Sequence, residues 1–133
     1  MPKSNAMSTK IINYFCRQET ISPTSQPQLY LALYVNNPTG ADTGTEASYT
    51  GYARQPVTFS VPYNVGEAIA IETVAEIQFP PVPENSGSIS FAALRTAETD
   101  GELIYFGELA TTFHLNEGVQ PVIPTGGLVV VEV

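Results

Sequence analysis

The side chains able to do chemistry in this chain are few, and their spacing limits what they can do. His114 is the single histidine and Cys16 the single cysteine. A general base needs an orienting carboxylate and a nucleophile within reach. His114 sits in Thr111-Thr-Phe-His-Leu115, where strand alternation sets it beside Thr112 and opposite Phe113 and Leu115. No Gly-x-Ser-x-Gly elbow accompanies it, so no catalytic residue is assigned and the chain reads as a non-enzyme. One His and one Cys cannot complete a transition-metal ligand set, and a cupin-like centre would need several histidines. For a hard cation the local clusters are Asp42 with Glu46, and Glu98 with Asp100 and Glu102. Neither has the spacing of a calcium loop, so both read as solvated turn carboxylates. Gly126-Gly127 precedes a strand pattern where a phosphate cradle would need a helix start. The expected metal and cofactor complement is none.

Two arginines carry more information. Beyond Arg17 they are the remaining cations, Arg54 and Arg95, in a chain with 13 acidic residues and a net charge of -8. Each lies in or beside an apolar strand and therefore needs a carboxylate. An intrachain salt bridge is the first reading, and an ion pair across a subunit interface the second. Tryptophan is absent, so any flat aromatic platform for a sugar must come from tyrosine. Asp42, Glu46, Tyr49 and Tyr52 are the candidate recognition residues, on the polar loop 37–51. The plainer reading of the two tyrosines is strand-end packing with the hydroxyl in water.

The elements that must position these residues are strands. Gln28-Leu-Tyr-Leu-Ala-Leu-Tyr-Val-Asn36 alternates Leu29, Leu31, Leu33 and Val35 against Tyr30, Ala32 and Tyr34. Both faces are mostly apolar, so this strand must be covered on both sides. The segment 52–61 alternates Val57, Phe59 and Val61 against Thr58 and Ser60, as a half-solvated partner does. Between them, 37–51 has almost nothing to bury and reads as a long exposed loop. Further strands are expected over 67–74 and 77–79, the latter stopped by Pro80-Pro-Val-Pro83. Segments 88–96 and 102–109 read as a hairpin closed by Asp100-Gly101. Strands at 110–115 and 126–133 complete the set. The sole expected helix is 8–19, capped by Ser8, with Ile11, Ile12, Phe15 and a partly buried Cys16 on one stripe.

Eight or nine short strands at this spacing imply an antiparallel β-sandwich, and among sandwiches a jelly roll, with a short N-terminal helix. The expected division is an expression-tag remnant at 1–6, helix and linker at 7–27, and one sandwich domain at 28–133. Charged residues are only 14% of the chain, against roughly 25% in ordinary globular proteins. So weakly charged a surface favours contact with copies of itself. The acidic balance, with no basic stripe, excludes nucleic acid as a partner, and no stretch approaches a membrane span.

The string "LYLALYVNNPTGADTGTEASYTGYARQPVTFS" resembles small bacteriophage and prophage virion proteins of the tail-fibre-like or head-fibre-like group. The likeness continues through "SGSISFAALRTAETDGELIYFGEL" and "GVQPVIPTGGLVVVEV". It implies a structural component of the particle that self-assembles, as a homotrimer, with other virion proteins as partners and the virion as its location. The alternative is a binding module that recognises a host-surface glycan or protein through the 37–51 loop.

Overall fold

Leu29–Tyr34 (β1) carries apolar side chains on both faces, and the rest of the chain is arranged to cover both. The computed structural model describes residues 1–20 and 28–132. The expected linker, 22–27, and the last residue of the closing strand lie outside that set. After α1 (Asn5–Cys16) and β1 come β2 (Gln55–Val57), β3 (Tyr63–Val65), β4 (Ala68–Glu72) and β5 (Ile77–Gln78). Then follow β6 (Ser88–Arg95), β7 (Leu103–His114), β8 (Val122–Ile123) and β9 (Val129–Glu132). All strand pairs are antiparallel. They form a four-stranded sheet in the order β2-β1-β6-β7, a three-stranded sheet β3-β4-β9 and a two-stranded sheet β5-β8. The fold is thus all-β and sandwich-like. These three sheets do not reproduce a double-sheet jelly roll, so the fold class is stated without that topology.

Register sorts the side chains. Leu31 stands opposite Leu94 and Leu33 opposite Ala92, on one face of the large sheet. That face packs with Val57, Ile77, Phe79, Ile89, Ile123 and Val130 into the main core. Ala32 stands opposite Ala93 and Tyr34 opposite Phe91, and with Leu103 and Phe106 they make a second, smaller cluster on the other face. A sheet buried on both faces is what the composition of β1 demands.

Several elements depart from the sequence reading. The helix starts at Asn5, and Ser4, not Ser8, is its cap: Ser4 is extended (φ -69°, ψ 163°) and its hydroxyl accepts the Met7 N–H at 3.0 Å. Ser8 instead donates its own N–H to the Ser4 carbonyl. Residues 1–4, set aside as a remnant on sequence grounds, lie along β7. The Phe106 N–H donates to the Pro2 carbonyl at 3.1 Å, Lys3 bridges Tyr105, and Ser4 is buried. The helix buries none of its residues; Phe15 is 74% exposed and Cys16 is exposed, not partly buried. Of the expected stripe, Ile11 is half-buried while Ile12 and Phe15 stand in solvent.

The expected strand over 52–61 is split by a change of partner. Residues 55–57 pair with β1, while Phe59 bridges Thr73 in the hairpin that leads to β4. Val61 consequently leaves the face it was assigned and is 82% exposed. The two strands expected at 102–109 and 110–115 are one, β7, because nothing at Leu109-Ala110 breaks extended backbone. A register shift around Ser90 absorbs the excess length.

Candidate functional site

The predicted site residues meet at one end of the large sheet. Arg95 closes β6, just before the turn carrying Asp100-Gly101, and is 6% exposed. Alternation along β6 puts Arg95, like Phe91 and Ala93, on the face of Tyr34, and a register shift at Leu94/Arg95 sets it opposite Leu103. Its guanidinium forks onto the Asp42 carboxylate, Nη1 to Oδ1 at 2.7 Å and Nη2 to Oδ2 at 2.9 Å. Nη1 also donates to the Tyr34 hydroxyl at 2.9 Å, Nη2 to the Gly101 carbonyl at 3.0 Å and Nε to the Asp100 carbonyl at 3.2 Å. All five N–H donors of the arginine are thereby used.

Arg54 makes a parallel set just before β2. Nε and Nη2 fork onto Glu46 Oε2 and Oε1 at 2.9 and 2.8 Å. Nη1 donates to the carbonyls of Ala97 and Asp100 at 2.9 and 2.8 Å. The Asp100 carbonyl thus accepts from both arginines. Tyr52 extends the network into the sheet: its hydroxyl donates to Glu46 Oε2 at 2.6 Å and accepts the Leu33 N–H at 3.0 Å. Tyr49 stands edge-on to Tyr52, with ring centroids 5.5 Å apart, and donates its hydroxyl to the Pro80 carbonyl at 2.6 Å. Two loops far apart in sequence, 37–51 and 96–102, are therefore tied together by two arginine forks.

The electrostatics follow from those contacts. The Arg95 hydrogen bonds hold the Asp42 carboxyl below its ordinary value, although partial burial opposes them. For Glu46 burial pushes upward, but the hydrogen bonds from Arg54 and Tyr52 together with the Arg54 charge outweigh it, and the net direction is down. Both arginines are held more firmly protonated, chiefly by their carboxylate hydrogen bonds. Burial, then the Glu46 hydrogen bond, raises Tyr52, so it remains a donor.

The 37–51 loop is less exposed than its composition implies. Pro38, Ala47 and Tyr49 are buried, and Glu46 bridges Tyr34. The Val35 N–H donates to the Thr45 carbonyl at 2.9 Å and Ala47 N–H to the Leu33 carbonyl at 2.8 Å, so the loop folds back along its own strand. Asp42 sits at φ 60° and Asp100 at φ 54°, left-handed positions that aspartate tolerates better than most residues. Gly101, at φ 70°, is required more strictly, because a Cβ there would lie 2.9 Å from the Ala97 nitrogen. A cleft of about 600 Å³ opens beside the forks, lined by Ser48, Tyr49, Tyr52, Glu98, Thr99 and Asp100 among others.

The two sets of candidates, Asp42, Glu46, Tyr49 and Tyr52 on one side and Arg54 and Arg95 on the other, are thus one connected arrangement. Sequence reasoning missed Tyr34, which it placed simply on an apolar strand face, and the carbonyls of Ala97, Asp100 and Gly101. The hairpin signal at Asp100-Gly101 marked where those carbonyls turn inward. His114 lies elsewhere, exposed at the end of β7 and opposite Ser88. Glu102 pairs with Lys10 at 3.0 Å. Among the described residues no three His, Cys, Asp or Glu side chains converge to hold a metal ion.

Fold and site together define an antiparallel β-sandwich protein whose charged side chains brace its own loops. The chain belongs to the family described as Podophage GP4 fiber I protein gp80, whose model matches residues 2–131. It is accordingly a phage fibre-like, structural virion protein, as its resemblance to that group implied. Among curated proteins none matches it.

Proposed function

We propose that this chain serves its particle by shape and self-association, as a homotrimeric fibre or decoration subunit made in the host cytoplasm and assembled with other virion proteins. The observation that carries this reading is the arginine network. Asp42, Glu46, Arg54 and Arg95 pair within the chain, which ties the loops 37–51 and 96–102 into a fixed shape. Family membership and the low charge content support it further. In this reading residues 28–133 act as one sandwich unit, with 7–27 as a helix and linker that lead into it. Particle purification from a phage or prophage that encodes the chain tests the role. Recovery of the chain in washed, density-banded particles supports it, and its retention in the particle-free lysate contradicts it.

A second reading is favoured by the cleft beside Tyr49 and Tyr52. Its polar lining, Ser48, Glu98, Thr99 and Asp100, and its tyrosine walls suit the hydroxyls and flat faces of a host-surface glycan. Recognition through the 37–51 loop would coexist with a fibre role. A glycan array probed with the purified protein decides it: binding that Tyr52→Ala abolishes supports recognition, and an array without hits removes it.

A further inference from the structure

Among the described residues, the large apolar side chains left in water fall mainly into two groups, Ile12, Tyr14 and Phe15 on α1 and a larger set around the β3-β4-β9 sheet. Val61, Tyr63, Val65, Ile69, Val74 and Val129 all lie on the 59–74 hairpin or on β9 beside it. Register explains the arrangement. Ile71 and Val130 stand opposite each other and face the main core, and Ile69 shares their phase at the exposed end of the sheet; Tyr63, Val65, Ala68, Val129 and Val131, one residue out of phase, lie on the other face around the buried Ala70. Only one acid shares that outer face, Glu72.

The edge of this sheet is open as well. The two edges of the large sheet are managed: β2 carries Pro56, which has no N–H to offer, and β7 is lined by Pro2 and Lys3. In β3 all three residues are exposed. Val61 at 82% and Val65 at 48% exposure dominate a patch whose open apolar area is on the order of 400 Å², within the range at which patches on a single chain are functional. A standard interface takes about 800 Å² from each partner, of which a little over half is apolar. The patch therefore matches the apolar share of one subunit contact. Its own face bears no cation and a single acid, Glu72, so a charged partner gains little there, whereas the same surface of another copy is chemically matched.

We propose that the outer face of the β3-β4-β9 sheet, with the free edge of β3, is the surface through which this chain contacts a second copy of itself. This rests on the self-association reading and assigns its location. Around a three-fold axis such a contact is heterologous, one part of the patch meeting another part on the next copy.

The test is native mass spectrometry of the full chain at tens of micromolar, with far-UV circular dichroism as a check on folding. Val65→Lys with Val129→Lys should reduce the oligomer to a monomer with an unchanged spectrum. Val65→Thr with Val129→Thr, which keeps the β-branched shape, should weaken association at least tenfold, and it covers the case in which the lysine variant fails to fold. Phe15→Lys, on the exposed stripe of α1, should leave the oligomer intact. If both threonine and lysine variants retain the wild-type mass, or if Phe15→Lys alone releases monomers, the assigned surface is overturned while self-association stands. A wild-type chain that is itself a monomer overturns both.

Discussion

Arg95→Met removes five hydrogen bonds while keeping an apolar stem of similar length, and so isolates what the guanidinium contributes. The partners it abandons are not equal. The Asp42 side chain is 39% exposed and can rehydrate, and the carbonyls of Asp100 and Gly101 lie in an exposed turn. Tyr34 is 3% exposed, so its hydroxyl loses a partner that water reaches poorly. Breaking a buried ion pair by deleting one member costs about 3–5 kcal/mol, and the exposure of Asp42 places this case at or just below the lower end, ~3 kcal/mol. For a domain of this length that corresponds to a fall in Tm of roughly 10 °C. Urea unfolding at fixed protein concentration should show the midpoint fall with an unchanged slope. Asp42→Ala and the double variant complete a cycle whose coupling should be about 1–2 kcal/mol. A loss below ~1 kcal/mol for Arg95→Met, or additivity of the two variants, would refute the bracing role, because distant, uncoupled sites add within about half a kcal/mol.

Three further outcomes are expected. The Asp42 and Glu46 carboxyls are held below their ordinary values of 3.8 and 4.5, so their contribution is present above the unfolded values and is lost as pH falls through the folded ones. Thermal stability should therefore drop below about pH 5, with a shallower drop in Arg95→Met, as read by a pH series of melts. Gly44→Ala would place a Cβ 2.6 Å from Pro38 Cα and 3.0 Å from Tyr34 Cδ2, and should cost about 1–3 kcal/mol by overpacking in chemical denaturation. Thr73 is buried and its hydroxyl is without a hydrogen-bond partner among the described residues; Thr73→Val should raise stability by about 1 kcal/mol in the same assay.

What the sequence disclosed was set by how local each cause is. The two-sided burial of β1 was legible because alternation along one strand fixes both faces. The β6–β7 hairpin was legible because Asp100-Gly101 announces its own turn chemistry. The need of Arg54 and Arg95 for carboxylates could be read from a chain so poor in cations, but not which of 13 acids they choose. That choice depends on a long-range event, the folding of 37–51 back onto the 96–102 turn. The same holds for Val61, whose exposure arises where one strand leaves the large sheet to pair with Thr73. The helix was misplaced by three residues at its start because Ser4 and Ser8 are equivalent caps by type, and only the pairing of residues 2–4 with β7 selects Ser4.

The claim on which the account turns is that this fibre-family chain acts as an assembly of its own copies. Native mass spectrometry of the wild-type protein at micromolar concentration tests it most directly. A homotrimer gives a dominant species at three times the 14.3 kDa chain mass, and a spectrum containing the single chain alone would contradict self-assembly.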